Sequence, residues 1–185
     1  MRKAKKENTL IQKVNSVIKI NFKENKDAIT GILIRVGKKW LLLRHNPVDF
    51  VLDGYVFVLR KNVAEIVVSE REEFHKQVIL SKKRTLKKDK SFDLNLDIAD
   101  NVFNYFEKKE SVQIEGPSND ILYIGKIIKN EIRSITFHPL DKRANWLNER
   151  KILKSNIWCL YYKNDYISSL CSFEKVQRKK TNIDM

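Results

Sequence analysis

The order of apolar and polar positions divides the first half of the chain into short segments separated by turn signals. Residues 28–35, 40–45, 55–60 and 63–69 are rich in aliphatic and aromatic side chains, and each has the length of a β-strand. The last two segments are separated by Lys61-Asn62, which suits a two-residue hairpin turn. The block therefore predicts four strands, and because both faces of these strands are apolar, both should be covered.

The second half repeats this pattern at a fixed distance. Strands are predicted over residues 112–115, 121–128, 132–138, 150–153 and 157–163. A shift of 94 residues places Gly31 on Gly125 and needs no gap. The same shift places Asn62 on Asn156. A glycine within a strand marks a bend or a bulge, and small barrels need such bends to close. The pattern predicts two copies of one bent β unit.

Helical patterns accompany both blocks. Apolar residues three or four positions apart predict one helix over residues 10–18, through Leu10, Val14, Val17 and Ile18. A second helix is predicted over residues 98–106 and a third over residues 70–80. Residues 165–173 are expected to pack as a last short segment, and the chain after Glu174 is expected to be loose.

Together these segments predict a mainly β chain with short helices, of the α+β class, built from two bent five-stranded barrels that each follow an N-terminal helix. The first barrel is expected within residues 1–80 and the second within residues 93–174. Residues 81–92 are expected to form a basic linker, and residues 175–185 a basic tail.

Four segments of the first block carry a family resemblance. They are Gly31-Ile32-Leu33-Ile34, then Trp40-Leu41-Leu42-Leu43, then residues 55–59, then Arg60-Lys61-Asn62-Val63-Ala64-Glu65-Ile66. In this order they resemble the bacterial Hfq branch of the Sm-like family. The resemblance implies tandem Sm-like, SH3-like barrels, and the family assembles into rings and binds single-stranded RNA. The RNA-contacting pair that it implies falls on Arg60 and Lys61, and in the second copy on Lys154 and Ser155. Asn62 and Asn156, in the same turns, are further candidates for nucleic-acid binding.

The net charge of +14 indicates a polyanionic partner, but most of this charge lies outside the predicted barrels. It is concentrated in residues 2–6, 82–90 and 174–185. The linker bases are Lys82, Lys83, Arg84, Lys87, Lys88 and Lys90. Clustered bases of this kind bind phosphates without reading sequence. The alternative is a solvated linker that only keeps the protein soluble.

Trp146 is a candidate exposed aromatic contact, because it lies in a polar turn between Asn145 and Leu147. The other aromatic residues lie at strand spacing, where core or interface packing is the commoner role.

No pattern points to an enzyme, a metal site or a cofactor. Glu72 and His75 have Glu-x-x-His spacing, but the sequence has no second copy of this pattern for a two-metal site. Ser16 and Lys19 lack the companion motifs of Ser-Lys hydrolases. The two cysteines exclude a disulfide framework, and the apolar runs are too short to span a bilayer. A cytoplasmic protein is expected.

Two hypotheses for function remain open. The first is a tandem Sm-like module that binds single-stranded RNA, or another polyanion, through its basic turns and linker. The second is a protein-interaction scaffold or regulator with no nucleic-acid ligand. Open strand edges also allow a second copy of the chain as partner, giving a homodimer.

Overall fold

The computed structural model describes residues 10–24, 26–82, 92, 94–118 and 122–181, and these residues form one antiparallel sheet with helices on it. The strands are β1 Val17–Phe22, β2 Ile29–Val36, β3 Trp40–His45, β4 Tyr55–Leu59, β5 Val63–Val67, β6 Val112–Glu115, β7 Leu122–Asn130, β8 Ser134–Leu140, β9 Arg150–Leu153 and β10 Cys159–Tyr162. The α-helices of eight or more residues are α1 Glu70–Ser81, α2 Ala99–Phe106 and α3 Asp165–Thr181. The prediction of a mainly β chain with short helices is confirmed.

The strand order is β5-β1-β2-β3-β4-β10-β6-β7-β8-β9. Each half contributes five neighbouring strands, and the order within each half is fifth, first, second, third, fourth. The halves join where β4 of the first half pairs with β10 of the second. As the repeat predicted, the two blocks have the same topology.

Strand register repeats at the spacing found in the sequence. Ile18 pairs with Gly31 in the first half, and Val112 pairs with Gly125 in the second. The third and fourth strands of each half are also in equivalent register. Each second strand has a bulge at the same position, between Leu33 and Arg35 or their counterparts 94 residues later. The shift of 94 residues therefore relates backbone hydrogen bonding as well as residue types.

The repeated glycine has a steric cause in both halves. A Cβ atom on Gly31 would lie 2.5 Å from the carbonyl oxygen of Arg44, and one on Gly125 would lie 2.0 Å from that of His138. Gly125 also has a φ of +157°, a conformation that residues with a side chain rarely adopt. A strand backbone approaches its neighbour too closely at this point for any residue but glycine.

The predicted first helix is wrong over its second half. Residues 10–15 make a helical turn, which Asn15 ends at a φ of 68°. Val17 and Ile18 belong to β1, where Ile18 and Ile20 are fully buried. Their spacing fits a helix, but pairing with β2 on one side and β5 on the other gives these β-branched residues a strand conformation.

The predicted hairpin at Lys61-Asn62 is also wrong. Arg60–Asn62 form a 3-10 helical turn that sends the chain across the unit, so that β5 pairs with β1 and not with β4. Lys154–Asn156 make the same turn before β10. The free side of β4 is thereby left for β10 of the other half.

The last segment is a longer helix than predicted, and the expected loose tail is helical through residue 181. Asn164 begins it, since its Oδ1 accepts a hydrogen bond of 2.8 Å from the backbone N–H of Ile167. Ile167, Leu170 and Cys171 pack against the first-half core, and this packing supports the helix.

The described residues form two large cores and a smaller cluster of Val17, Ile32 and Ile79. One contains the inner residues of the first half, including Leu41, Val56 and Val58. The other contains the inner residues of the second half together with Trp40, Phe57 and α2. Every residue of β4 and β10 is buried, as expected for strands covered on both faces. Phe92, at the end of the predicted linker, is buried in the second core.

Candidate functional site

A groove of about 850 Å³ lies where the turns of the two halves meet. Six of its eleven lining residues are Lys or Arg, and none is acidic. The lining residues are Lys38, Lys39, Leu59, Arg60, Lys61, Ala99, Phe103, Arg133, Leu153, Lys154 and Ser155. Because both halves contribute equivalent positions, the basic groove is a product of the repeat and of the β4–β10 junction.

The first-half wall consists of two turns held together by hydrogen bonds. The backbone N–H of Arg60 donates to the carbonyl oxygen of Lys39 over 2.9 Å. The guanidinium Nη1 of Arg60 donates to the carbonyl oxygen of Gly37 over 2.6 Å. These bonds fix the turn after β4 against the turn between β2 and β3, so the bases on both are presented from a rigid frame.

The second-half wall has the same backbone link and a different side-chain partner. The backbone N–H of Lys154 donates to the carbonyl oxygen of Arg133 over 3.0 Å. Its Nζ forms an ion pair of 2.6 Å with Asp100 at the start of α2 and lies 5.3 Å from the centre of the Phe103 ring. Part of the positive charge of this wall is therefore neutralised within the protein.

The remaining bases differ in their pairing. Lys38 faces Asp97 at 3.8 Å, an exposed contact that salt screens readily. Among the residues that the structure describes, Lys39, Lys61 and Arg133 have no carboxylate within ion-pair distance. These three side chains are therefore available to an anion in the groove.

The structure brings together some of the residues that the sequence suggested. Arg60, Lys61, Lys154 and Ser155 line the groove. Asn62 is buried and Asn156 is exposed, and neither lines the groove. Lys82 follows α1 elsewhere, with its Nζ 5.6 Å from the Phe50 ring centre. The candidates Lys83, Arg84, Lys87, Lys88 and Lys90 lie outside the described residues.

Trp146 is half-buried rather than exposed. Its Nε1 donates a hydrogen bond of 3.0 Å to Glu174 of α3, its ring lies 4.7 Å from that of His138, and Lys126 lies over it. The side chain fixes the loop of residues 141–149 to the last helix, so its contacts are accounted for within the protein.

No direct signal in the sequence points to Lys39, Arg133 and Phe103 as groove residues. Lys39 and Arg133 are 94 residues apart, so the shift that revealed the repeat also relates these two bases. Phe103 lies in the predicted second helix, and its contribution to the groove depends on where α2 packs.

A separate polar cluster crosses the junction of the halves. Lys26 of the first half forms an ion pair of 2.7 Å with Glu115 of β6, and Tyr161 donates a hydrogen bond of 3.0 Å to the same carboxylate oxygen. Burial raises the pKa of Tyr161 and of Cys159, and burial lowers the pKa of nearby His45. The cluster lies apart from the basic groove and joins the halves.

The pair Glu72 and His75 has structural roles. Glu72 accepts hydrogen bonds from the backbone N–H of Ser69 and from its hydroxyl group, which completes a capping box at the start of α1. His75 packs against the Phe50 ring.

Within the described ranges, no three His, Cys, Asp or Glu side chains are grouped in a way that could hold a metal ion. The helices of the described residues are too short or too polar to cross a bilayer. The chain matches no protein-family profile, no curated protein sequence and no solved structure.

Proposed function

We propose that the chain is a non-enzymatic tandem Sm-like module that binds single-stranded RNA in the basic groove. The observation that carries this proposal is the meeting of the two basic turns, Arg60-Lys61 and Lys154-Ser155, in one groove with further bases beside them. The sequence resemblance had pointed to these turns separately, 94 residues apart.

The Sm-like part of the proposal rests on the shared topology. Each half has its first strand between its fifth and second strands, a glycine and a bulge in its second strand, and a 3-10 turn before its fifth strand. A helical turn or helix precedes each half, at residues 10–15 and in α2. This order agrees with the bent barrel that the resemblance implies.

The groove suits a phosphate backbone better than base recognition. Lys39, Lys61 and Arg133 offer uncommitted charge, and neutralising phosphates releases bound counterions. Phe103 is only 2% exposed, so it forms the floor of the groove and offers no ring face for base stacking. Leu59 and Leu153 add apolar surface beside the bases. Binding should therefore depend on salt and show low sequence preference.

The test is a fluorescence anisotropy titration of labelled oligouridine with the full chain, repeated over a series of salt concentrations. The variant Lys61→Ala with Arg133→Ala removes two free bases from opposite walls. The magnitude of the slope of log K against log salt should fall by about 1.4, since each lost contact with a single-strand phosphate lowers it by about 0.7.

The matched control is Lys142→Ala with Arg143→Ala, which removes the same charges from an exposed loop outside the groove. The control should keep the wild-type slope. An equal decrease in the magnitude of the slope in both variants would show that binding follows net charge alone and would overturn the groove as the site. No binding of oligouridine by the wild type at ~50 mM salt would also overturn the proposal.

A protein-binding role is the second candidate, because α1 and the loop before β4 expose large apolar side chains. These are Val48, Val51, Phe74 and Leu80. None of them lines the basic groove, so the surface is separate from the proposed RNA site.

A further inference from the structure

The last helix, α3, packs on the protein along one side and exposes apolar side chains on another. Ile167, Leu170 and Cys171 pack against the first-half core and fix the inner side of the helix. Three large apolar side chains of α3 are each about half exposed, namely Tyr166 at 52%, Phe173 at 53% and Val176 at 50%. The apolar surface of α3 is therefore wider than the part that the protein covers.

The exposed positions have the spacing of a seam between two helices. Tyr166, Ser169, Phe173 and Val176 follow one another at intervals of three, four and three residues, and all four are exposed. This alternation is that of the a and d positions of a heptad. Against an antiparallel copy of the same helix, Tyr166 meets Val176 and the small Ser169 meets the large Phe173. The exposed face is thus complementary in size to itself.

The charges beside this seam favour the antiparallel direction. Asp165, Ser172 and Lys179 are seven residues apart, all exposed, and line one flank of the seam. In an antiparallel pair Asp165 lies beside Lys179 of the second copy, and the symmetry makes this contact twice. A parallel pair would place Asp165 beside Leu170 of the second copy instead. Antiparallel packing also brings the negative end of each helix dipole to the positive end of the other.

We propose that two copies of this chain form a symmetric dimer through the exposed face of α3, with the two helices antiparallel. The same surface is used by both copies, so assembly closes at two chains. Ser172 lies at the symmetry axis, beside Ser172 of the second copy. The two Asp165–Lys179 contacts are exposed, so association should weaken as the salt concentration rises.

The seam is tested by sedimentation velocity of the full chain without nucleic acid, over a range of protein concentrations. The wild type should shift from 21.9 kDa towards twice that mass as its concentration rises. Phe173→Ser with Val176→Ser should weaken dimerisation about a hundredfold, since four apolar side chains per dimer lose their contacts. The matched control is Leu122→Ser with Ile132→Ser, which removes two exposed apolar side chains outside α3 and should leave dimerisation unchanged.

The charge pairing is tested by exchange of the two signs in the same measurement. Asp165→Lys and Lys179→Asp should each weaken dimerisation about tenfold, because each replaces two attractive contacts by two repulsive ones. The double exchange should restore dimerisation. Restoration separates a lost contact from a misfolded helix.

The direction of the helices is tested by crosslinking in a Cys171→Ser background, in which the remaining Cys159 is buried. Ser172→Cys places each thiol beside its counterpart, so a short bis-maleimide should give covalent dimers. The control Arg178→Cys is also exposed, but its counterpart is about 18 Å away along the helix axis. This control should crosslink much less.

A wild type that sediments as a single chain at all concentrations and at low salt would overturn the proposal and assign this face to a partner other than this chain. Equal crosslinking of the Ser172 and Arg178 variants would overturn the antiparallel arrangement. Failure of the double exchange to restore dimerisation would overturn the charge pairing. These results do not depend on RNA binding, since no nucleic acid is present.

Discussion

The turn after β4 and the turn after β9 share one backbone and differ in what surrounds their side chains. Both are 3-10 turns whose first N–H bonds to the preceding turn of the same half. Arg60 is held by a carbonyl oxygen, whereas Lys154 is held by the carboxylate of Asp100. Asn62 is buried, whereas its counterpart Asn156 is exposed. Register fixes the backbone of the repeat, while the charge offered to the groove differs between the halves.

The largest expected effect comes from substituting the repeated glycine, at which two strands approach closely in both halves. Gly125→Ala should lower the free energy of unfolding by about 4 kcal/mol, because overpacking against the carbonyl of His138 adds to the strain of a positive φ. In Gly31→Ala the new Cβ atom is too close to the carbonyl oxygen of Arg44, but the backbone φ is not strained. This substitution should lower the free energy of unfolding by about 2 kcal/mol. Urea unfolding of the two variants measures the difference. Equal costs, or the reverse order, would contradict the steric account of the two halves.

The next effect tests a contact that only one half supplies. Lys26 of the first half reaches Glu115, whereas the counterpart of Glu115 is Asn21, which bonds to Glu65 within its own half. Lys26→Met leaves a largely buried carboxylate without its cation and should cost about 3 kcal/mol. Adding Glu115→Gln should recover part of this loss, since the unpaired charge is then absent. Urea unfolding of both variants measures this, and a double variant no more stable than Lys26→Met would contradict the ion-pair explanation.

Much of the sheet could be predicted from the sequence because its local signals are clear. The predicted bounds of β3, β6 and β9 match the structure, since each of these segments is bounded by polar or turn-forming residues. The shift of 94 residues was likewise visible in residue types alone. It also holds for β1 and β6, although the residue spacing at the start of β1 predicts a helix.

The errors in the prediction arose from long-range pairing. The spacing of Leu10, Val14, Val17 and Ile18 fits a helix, and only the partners β2 and β5 show that the last two residues form a strand. Lys61-Asn62 has the composition of a hairpin turn, but β5 pairs with β1 and not with β4. The groove depends on the β4–β10 junction, so two basic turns were predictable and their meeting was not.

The smallest expected effect comes from removing the Lys154–Asp100 ion pair, which distinguishes the second-half turn from the first. Asp100→Asn removes the carboxylate that holds Lys154, so the second-half turn should offer its charge as the first-half bases do. In the oligouridine titration the magnitude of the slope of log K against log salt should rise by about 0.7, with one more phosphate neutralised. Adding Lys154→Gln to Asp100→Asn should cancel the gain. If affinity rises equally with and without Lys154, then the effect comes from overall charge, and the two turns do not differ in the way their contacts indicate.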